Sequence, residues 1–294
     1  MKPRRYGPFP YSPIIERPQR RWPNGARVAV WIIPNIEFFA LHEQVPAAAG
    51  GGGKVPDIPS WTVRDYGNRI GVFRIMEVLD RYSARGTVAL NSELCAEHPQ
   101  IIEACIKRDW ELMGHNESNT RRLNSVPPED EARVIRNTVE TIAKASGRKV
   151  HGWLSSGLNE TWNSLDHFID NGLDYIADWC NDDQPYQMTL DDGRTITSIP
   201  YTFQLNDKPA FEKHNRTAEE FDTMIRRQFD VLYREGATQA RVMAIAVHPY
   251  IIGVPHRIGA LDSALEYICK HDDVWLATGA EIAAAGREWA QAGA

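Results

Sequence analysis

His115-Asn116-Glu117-Ser118-Asn119 stands directly behind the apolar run Trp110–Gly114. A plain turn needs only turn formers at such a place. An imidazole, a carboxylate and amides close together are instead the groups that bind a metal, move a proton or orient a polar substrate. The same juxtaposition recurs along the chain. Asn35-Ile36-Glu37 follows the run 27–33, and Asn91 and Glu93 follow 87–91. Ser155 to Glu160 follow 150–154, Trp179-Cys180-Asn181-Asp182-Asp183 follow 175–178, and His248-Pro249-Tyr250 follow 242–247. Each has a structural reading as well: Asn119 suits a turn, Asp182 and Asp183 are turn formers, and Cys180 suits a small buried hydrophobe. His248 suits a satisfied core histidine. Gathered at one place, however, Glu37, His115 and His248 would form an acid–base site.

What could gather them is the order of elements. From Arg27 onward, β-rich runs at 27–33, 87–91, 110–114, 150–154, 175–178, 197–203, 242–247 and 274–277 alternate with amphipathic stretches. Runs that are apolar on both faces suit a parallel sheet covered by helices. The alternation predicts an α/β fold, either a (β/α) barrel or an open doubly wound sheet. In a barrel, chemistry collects at the C-terminal ends of the strands, where the polar clusters stand. Helices are predicted over Ile70–Tyr82, with Ile70, Phe73, Met76 or Ile75, Leu79 and Tyr82 on the inner face, and over Pro128–Ala145, Thr217–Glu235 and Ile258–Lys270. Thr217 and Glu220 have the spacing of a capping box. Residues 1–26, rich in Pro, Arg and aromatics, predict an extended arm on the body or on a neighbouring subunit, ahead of one domain over 27–294.

Composition narrows the function. The chain has 294 residues, 43% hydrophobic and 24% charged, with a formal net charge of −6. That is ordinary for a soluble globular protein and argues against a nucleic-acid partner. Four cysteines without a C-x-x-C pair need no disulfide framework. With no apolar leader-like segment and no spanning run, the expectation is a cytoplasmic protein without a membrane partner. "AAAGGGGK" at 47–54 continues with Val55, so it is not a phosphate loop; it reads as the tip of a loop over Ala40–Ser60 that could act as a lid. No G-x-S-x-G elbow and no dinucleotide fingerprint occurs.

The order of these motifs resembles the polysaccharide deacetylase (NodB-homology) superfamily over roughly residues 24–285. Within it, "WPNGARVAVWIIPNIEFF" (22–39), "DWCNDDQPY" (178–186), "IPYTFQLND" (199–207) and "HDDVWLATGAEIA" (271–283) look like the branch of cofactor-independent allantoinases and cyclic imide hydrolases. The resemblance implies a distorted (β/α) barrel of the NodB-homology type and hydrolysis of a non-peptide C–N bond. The sequence departs from the sugar deacetylase pattern at two points. Asn35-Ile36-Glu37 stands where that pattern has two aspartates, and His115-x-x-x-Asn119 stands where it has two histidines. An Asn carbonyl is a weak zinc ligand beside an imidazole. Two cofactor expectations therefore remain: none, or a divalent metal such as zinc held by Glu37 and His115 with Asn119 or Glu160 as a third.

The resulting expectation is an amidohydrolase acting on a small cyclic amide, a ureide, hydantoin or imide. Glu37 activates water, His115 polarises, and His248 protonates the leaving nitrogen. Asn119, Glu160, Trp179, Asn181, Asp182 and Asp183 are the expected substrate-binding residues. The alternatives are a sugar N-deacetylase and a non-catalytic ligand-binding barrel. The arm and the resemblance point to a homo-oligomer.

Overall fold

A computed structural model describes residues 2–46 and 54–292. The glycine-rich stretch 47–53 read as a lid tip lies outside the described residues. The strands are β1 (Val28–Ile36), β2 (Thr87–Leu90), β3 (Glu111–Gly114), β4 (Gly152–Trp153), β5 (Tyr175–Ile176), β6 (Tyr186–Thr189), β7 (Thr195–Ser198), β8 (Arg241–Val247) and β9 (Val274–Leu276). They form one sheet in the order β6-β7-β5-β4-β3-β2-β1-β8, with β9 also paired to β1. Every pairing is parallel except β6 with β7. The sheet is a curled half-barrel with helices around it.

β1 is the axis of this arrangement. All nine of its residues are buried. It pairs with β8 from Val28–Arg241 to Pro34–Val247, with β9 along Val28–Val30, and with β2 at Asn35 and Ile36. A strand buried on both faces must be apolar throughout, which is why 27–33 reads as an unbroken run. The predicted strand extends to Ile36, whereas those at 150–154 and 175–178 contract to two residues each.

The helix over Ala218–Glu235 starts as its sequence predicts. Thr217 Oγ1 accepts from the Glu220 N–H at 3.2 Å, and Glu220 Oε2 accepts from the Thr217 N–H at 2.9 Å. Phe221, Ile225, Phe229 and Leu232 are buried along one stripe. The expected face of Ile70–Tyr82 is corrected. Ile70 and Phe73 are exposed, while Val72, Ile75, Met76, Val78 and Leu79 point inward. Phe73 falls off the stripe because a three-residue spacing drifts around an α-helix, and Ile70 lies in a π-helical turn over Gly67–Gly71. That turn permits close packing, because a Cβ on Gly71 would lie 2.0 Å from the Pro249 carbonyl oxygen. The helices Ile58–Tyr66, Pro99–Lys107, Ser164–Asp170 and Gly279–Ala292 were not foreseen.

The arm lies on the body. Arg17 forms a forked pair with Asp182 at 2.8 and 2.6 Å, and the Thr189 N–H donates to the Pro8 carbonyl at 2.7 Å. Phe9 meets Trp179 and Tyr186 edge-on with ring centroids 5.6 and 4.8 Å away. No helix among the described residues is long and apolar enough to cross a membrane.

Gly114, the last residue of β3, leads directly into His115. A Cβ there would come within 2.5 Å of Trp153 Cε3, on a ring with no exposed surface. Gly114→Ala is expected to cost ~1–3 kcal/mol through overpacking, read as a lower urea midpoint. An unchanged midpoint would mean that Trp153 repacks freely.

Candidate active site

Three strand ends supply the central groups. Glu37 follows β1, His115 follows β3 and His248 follows β8, and all three are buried. Glu37 Oε1 lies 3.9 Å from His115 Nε2 and 3.7 Å from His248 Nε2, while the Tyr250 hydroxyl donates to Glu37 Oε2 at 3.1 Å. The groups face a cavity of about 570 Å³ that Asn35, Asn119, Tyr201 and Lys208 also line.

Each imidazole is oriented from behind. His115 Nδ1 sits 2.5 Å from the Leu154 carbonyl oxygen. A carbonyl only accepts, so Nδ1 carries the proton and Nε2 turns to Glu37. His248 Nδ1 sits 2.6 Å from Asp207 Oδ1, and Asp207 Oδ2 accepts from the backbone N–H groups of His248 and Ile252 at 2.7 and 3.2 Å. Asn91 joins two of the loops: its Oδ1 accepts from the Phe38 N–H at 2.8 Å, and its Nδ2 donates to the His115 carbonyl.

Burial alone would raise the Glu37 carboxyl. The attraction of His115, then of His248 and Lys208, outweighs it and holds the group at about 2. The His115 contact spans 3.9 Å, beyond hydrogen-bond reach, so it acts through space and not as a hydrogen bond. Glu37 is therefore an anion at any working pH. Burial, reinforced by the Glu37 charge, pushes the Tyr250 phenol well above its ordinary value, so it remains a donor.

The other expected site residues divide. Asn119 lines the cavity, its backbone N–H held by the Phe38 carbonyl at 3.0 Å, and its Oδ1 is buried without a protein partner. Glu160, Trp179, Asn181, Asp182 and Asp183 do not line it. They stand away from the cavity that Glu37, His115 and His248 line. Trp179 and Asn181 line a separate cavity of about 540 Å³ beneath the arm. Trp179 donates to Glu160 at 3.1 Å, and Asn181 accepts from the Tyr186 hydroxyl at 2.7 Å. Asp182 holds Arg17, and the exposed Asp183 lies 3.9 Å from Arg241. Burial and the neighbouring Asp178 charge push the Glu160 carboxyl well up. Asp178 in turn accepts from Ser155 N and Oγ at 2.7 and 2.8 Å. Burial also pushes the Cys180 thiol to about 12, so it is no nucleophile.

Asp207 and Lys208 were missed as site residues. Asp207 closes "IPYTFQLND", and its polar Asn-Asp pair after a strand-like run was the available signal.

The donor set does not fit a tightly held divalent metal. Among the described residues no group of three or more His, Cys, Asp or Glu side chains is arranged to hold one. Glu160 hydrogen-bonds Trp179 outside the cavity lining, and Asn119 offers only an amide oxygen. A zinc site wants at least three strong protein ligands.

Comparison with known proteins finds the same fold. The family profile named "Polysaccharide deacetylase" matches residues 59–176. A Schizosaccharomyces pombe protein named for polysaccharide deacetylases is 28% identical over 90% of this chain and 91% of its own. A crystal structure from Pseudomonas aeruginosa PAO1, also named for polysaccharide deacetylases, superposes with a TM-score of 0.83 at 24% identity, covering 95% of this chain and 98% of that one. The crystal structure titled Puue allantoinase gives a TM-score of 0.84 at 23% identity with the same coverage. Residues 59–176 thus resemble a polysaccharide deacetylase domain, and the chain as a whole shares the fold of these structures.

The low Glu37 pKa has a measurable consequence for stability. A carboxyl with an ordinary value of 4.5 when unfolded and about 2 when folded stabilises the fold above pH 4.5. That contribution, about 3 kcal/mol at most, is lost as pH falls toward 2. Glu37→Gln should lack this part of the acid slope, read as urea midpoints at several pH values between the two limits. Parallel curves for the two proteins would show that Glu37 is not held low.

Proposed function

We propose that the protein hydrolyses a non-peptide C–N bond in a small cyclic amide: a ureide, hydantoin or imide. The observation that carries this reading is the His248–Asp207 pair, which turns its imidazole Nε2 toward Glu37 in a cavity of small-molecule size. Opening such a ring needs water delivered to the carbonyl carbon and a proton delivered to the departing nitrogen. His248 is placed to do both in turn. Asp207 fixes its tautomer and stabilises the imidazolium that forms between the two steps, as in other His–Asp pairs.

Glu37 has a different part from the general base expected of it. A carboxylate held at about 2 takes protons reluctantly. Its use is to align the attacking water and to stabilise positive charge on the imidazoles. His115, with Nδ1 donating to Leu154, turns the lone pair of Nε2 to the attacking water. Asn119 has a buried acceptor free for a substrate N–H, a partner that cyclic ureides and imides provide.

The rival reading is N-deacetylation of an amino sugar, which the family profile supports equally. The same groups would then serve an acetamido carbonyl. A screen of allantoin, hydantoin, succinimide and N-acetylglucosamine oligomers, with and without chelator, separates the two. Ring opening supports the proposal. Acetate release from the sugars alone replaces it, and turnover of none removes it.

Two variants test the roles on whichever substrate responds. Asp207→Asn removes the charge that stabilises the imidazolium and offers an amide N–H where an acceptor is required. A fall in kcat of at least ~100-fold is expected. Glu37→Gln should fall by a similar ~100-fold yet keep a measurable rate, because His248 and Asp207 remain in place. Complete loss of turnover in a folded variant would return the base role to Glu37.

A further inference from the structure

The cavity is more positive than the chain that surrounds it. The protein carries a formal charge of −6, whereas the ordinary charged side chains lining this cavity are Arg122, Lys208 and Lys213 against Glu37 and Glu212. Lys208 is engaged, with Nζ 3.0 Å from Glu212 and 2.9 Å from the Tyr250 hydroxyl. Glu37 is engaged by the imidazoles. Among the described residues no carboxylate pairs with the side chain of Arg122 or Lys213.

Arg122 has a defined seat. Its guanidinium lies over Gly157, where an added Cβ would stand 3.2 Å from Cζ and 3.3 Å from Nε. Gly157 has φ +68, a conformation that side chains rarely adopt. The backbone at 157 is thus bare where the guanidinium crosses it at the mouth of the cavity. A planar fork held this way suits a carboxylate, and a second cation at Lys213 adds charge without fixed geometry.

We propose that the substrate is an anion: a ring amide bearing a carboxylate, its scissile carbonyl at the His115–Glu37–His248 cluster and its carboxylate at Arg122 and Lys213. This rests on the amidohydrolase reading for the reaction, though not for binding. Both cations are exposed and solvated, so a neutral ring would gain nothing from them. A carboxylate neutralises them and orients the ring toward the imidazoles. It also gives the acidic protein a local field that draws the anion in.

The test compares matched rings, hydantoin against hydantoin-5-acetate and succinimide against its carboxymethyl derivative. The carboxylated member should have the higher kcat/KM by roughly tenfold, carried by KM, and the advantage should shrink as sodium chloride is raised. In the double variant Arg122→Gln, Lys213→Gln the ratio of kcat/KM between the two rings should approach unity, with Arg122→Lys intermediate. An equal preference in the native protein, or a ratio unchanged in the double variant, overturns the proposal while leaving amide hydrolysis standing. If no ring is opened, calorimetric binding of hydantoin-5-acetate decides. Binding that weakens roughly tenfold in the double variant upholds an anion site without the hydrolase reading. The absence of any difference overturns it.

Discussion

Asp207 has no exposed side-chain surface, and a buried carboxylate costs several kcal/mol unless its oxygens are fully engaged. Here it accepts from His248 twice, through backbone and ring, and from the Ile252 N–H. Those bonds tie the segment after β8 to the loop after β7, with the imidazole edge facing Glu37. Removing the charge would leave three donors competing for a poorer acceptor, so the loop geometry and the orientation of His248 depend on the same group. Glu37 then completes the electrostatic balance. Two carboxylates and two imidazoles occupy a region that solvent barely reaches, and each acid has an imidazole as neighbour.

The sheet makes this possible because its strands run parallel from β1 through β5 and in β8, so their C-terminal ends share one rim. β1 pairs directly with β8 but is separated from β3 by β2. In a flat sheet the ends of β3 and β8 would lie on opposite sides of Glu37, several strand spacings of ~4.8 Å apart. Curling brings both imidazoles within 4 Å of one carboxylate oxygen. The small residues serve that curvature. Gly114 lets β3 approach Trp153, and Gly67 and Gly71 let a helix press on the backbone of 249–253 beneath Tyr250.

Much of this was legible in the sequence, for identifiable reasons. β1 and β8 are buried on both faces, so their apolar runs stand out, and Glu37 and His248 follow them at once. The Thr217–Glu220 box marks its helix start because the capping bonds are local. β6 was hidden because it is an edge strand with only Met188 buried, and its Asp191-Asp192-Gly193 turn was the surviving signal. The inner face of the helix after Gly71 was misread because a spacing of every third residue drifts around an α-helix, and because Ile70 belongs to a π turn. The cluster Glu160 to Asp183 looked like site chemistry by the same rule that found His115. Which strand end remains open, however, depends on where residues 2–26 lie, and a pattern of residue types does not carry that. Arg17 and Phe9 take Asp182 and Trp179 for the arm.

Placement of the second acid follows a related logic. In the sugar deacetylase pattern that the sequence resembles, two carboxylates stand side by side after the first strand. Here the corresponding neighbour is Ile36, buried with no exposed surface as the last residue of β1. A second acid at that point would add a like charge beside Glu37, and one of the two would have to take up a proton. Asp207 instead enters from the far side of His248, with the imidazole between the two charges. A proton on that ring is then attracted from both sides, so the imidazolium is stabilised while Glu37 remains ionised. Separating the acids by a histidine avoids the like-charge clash and gives His248 an anionic neighbour on each side. In the proposed opening of a C–N bond, a ring so flanked is suited to deliver a proton to a poor nitrogen leaving group.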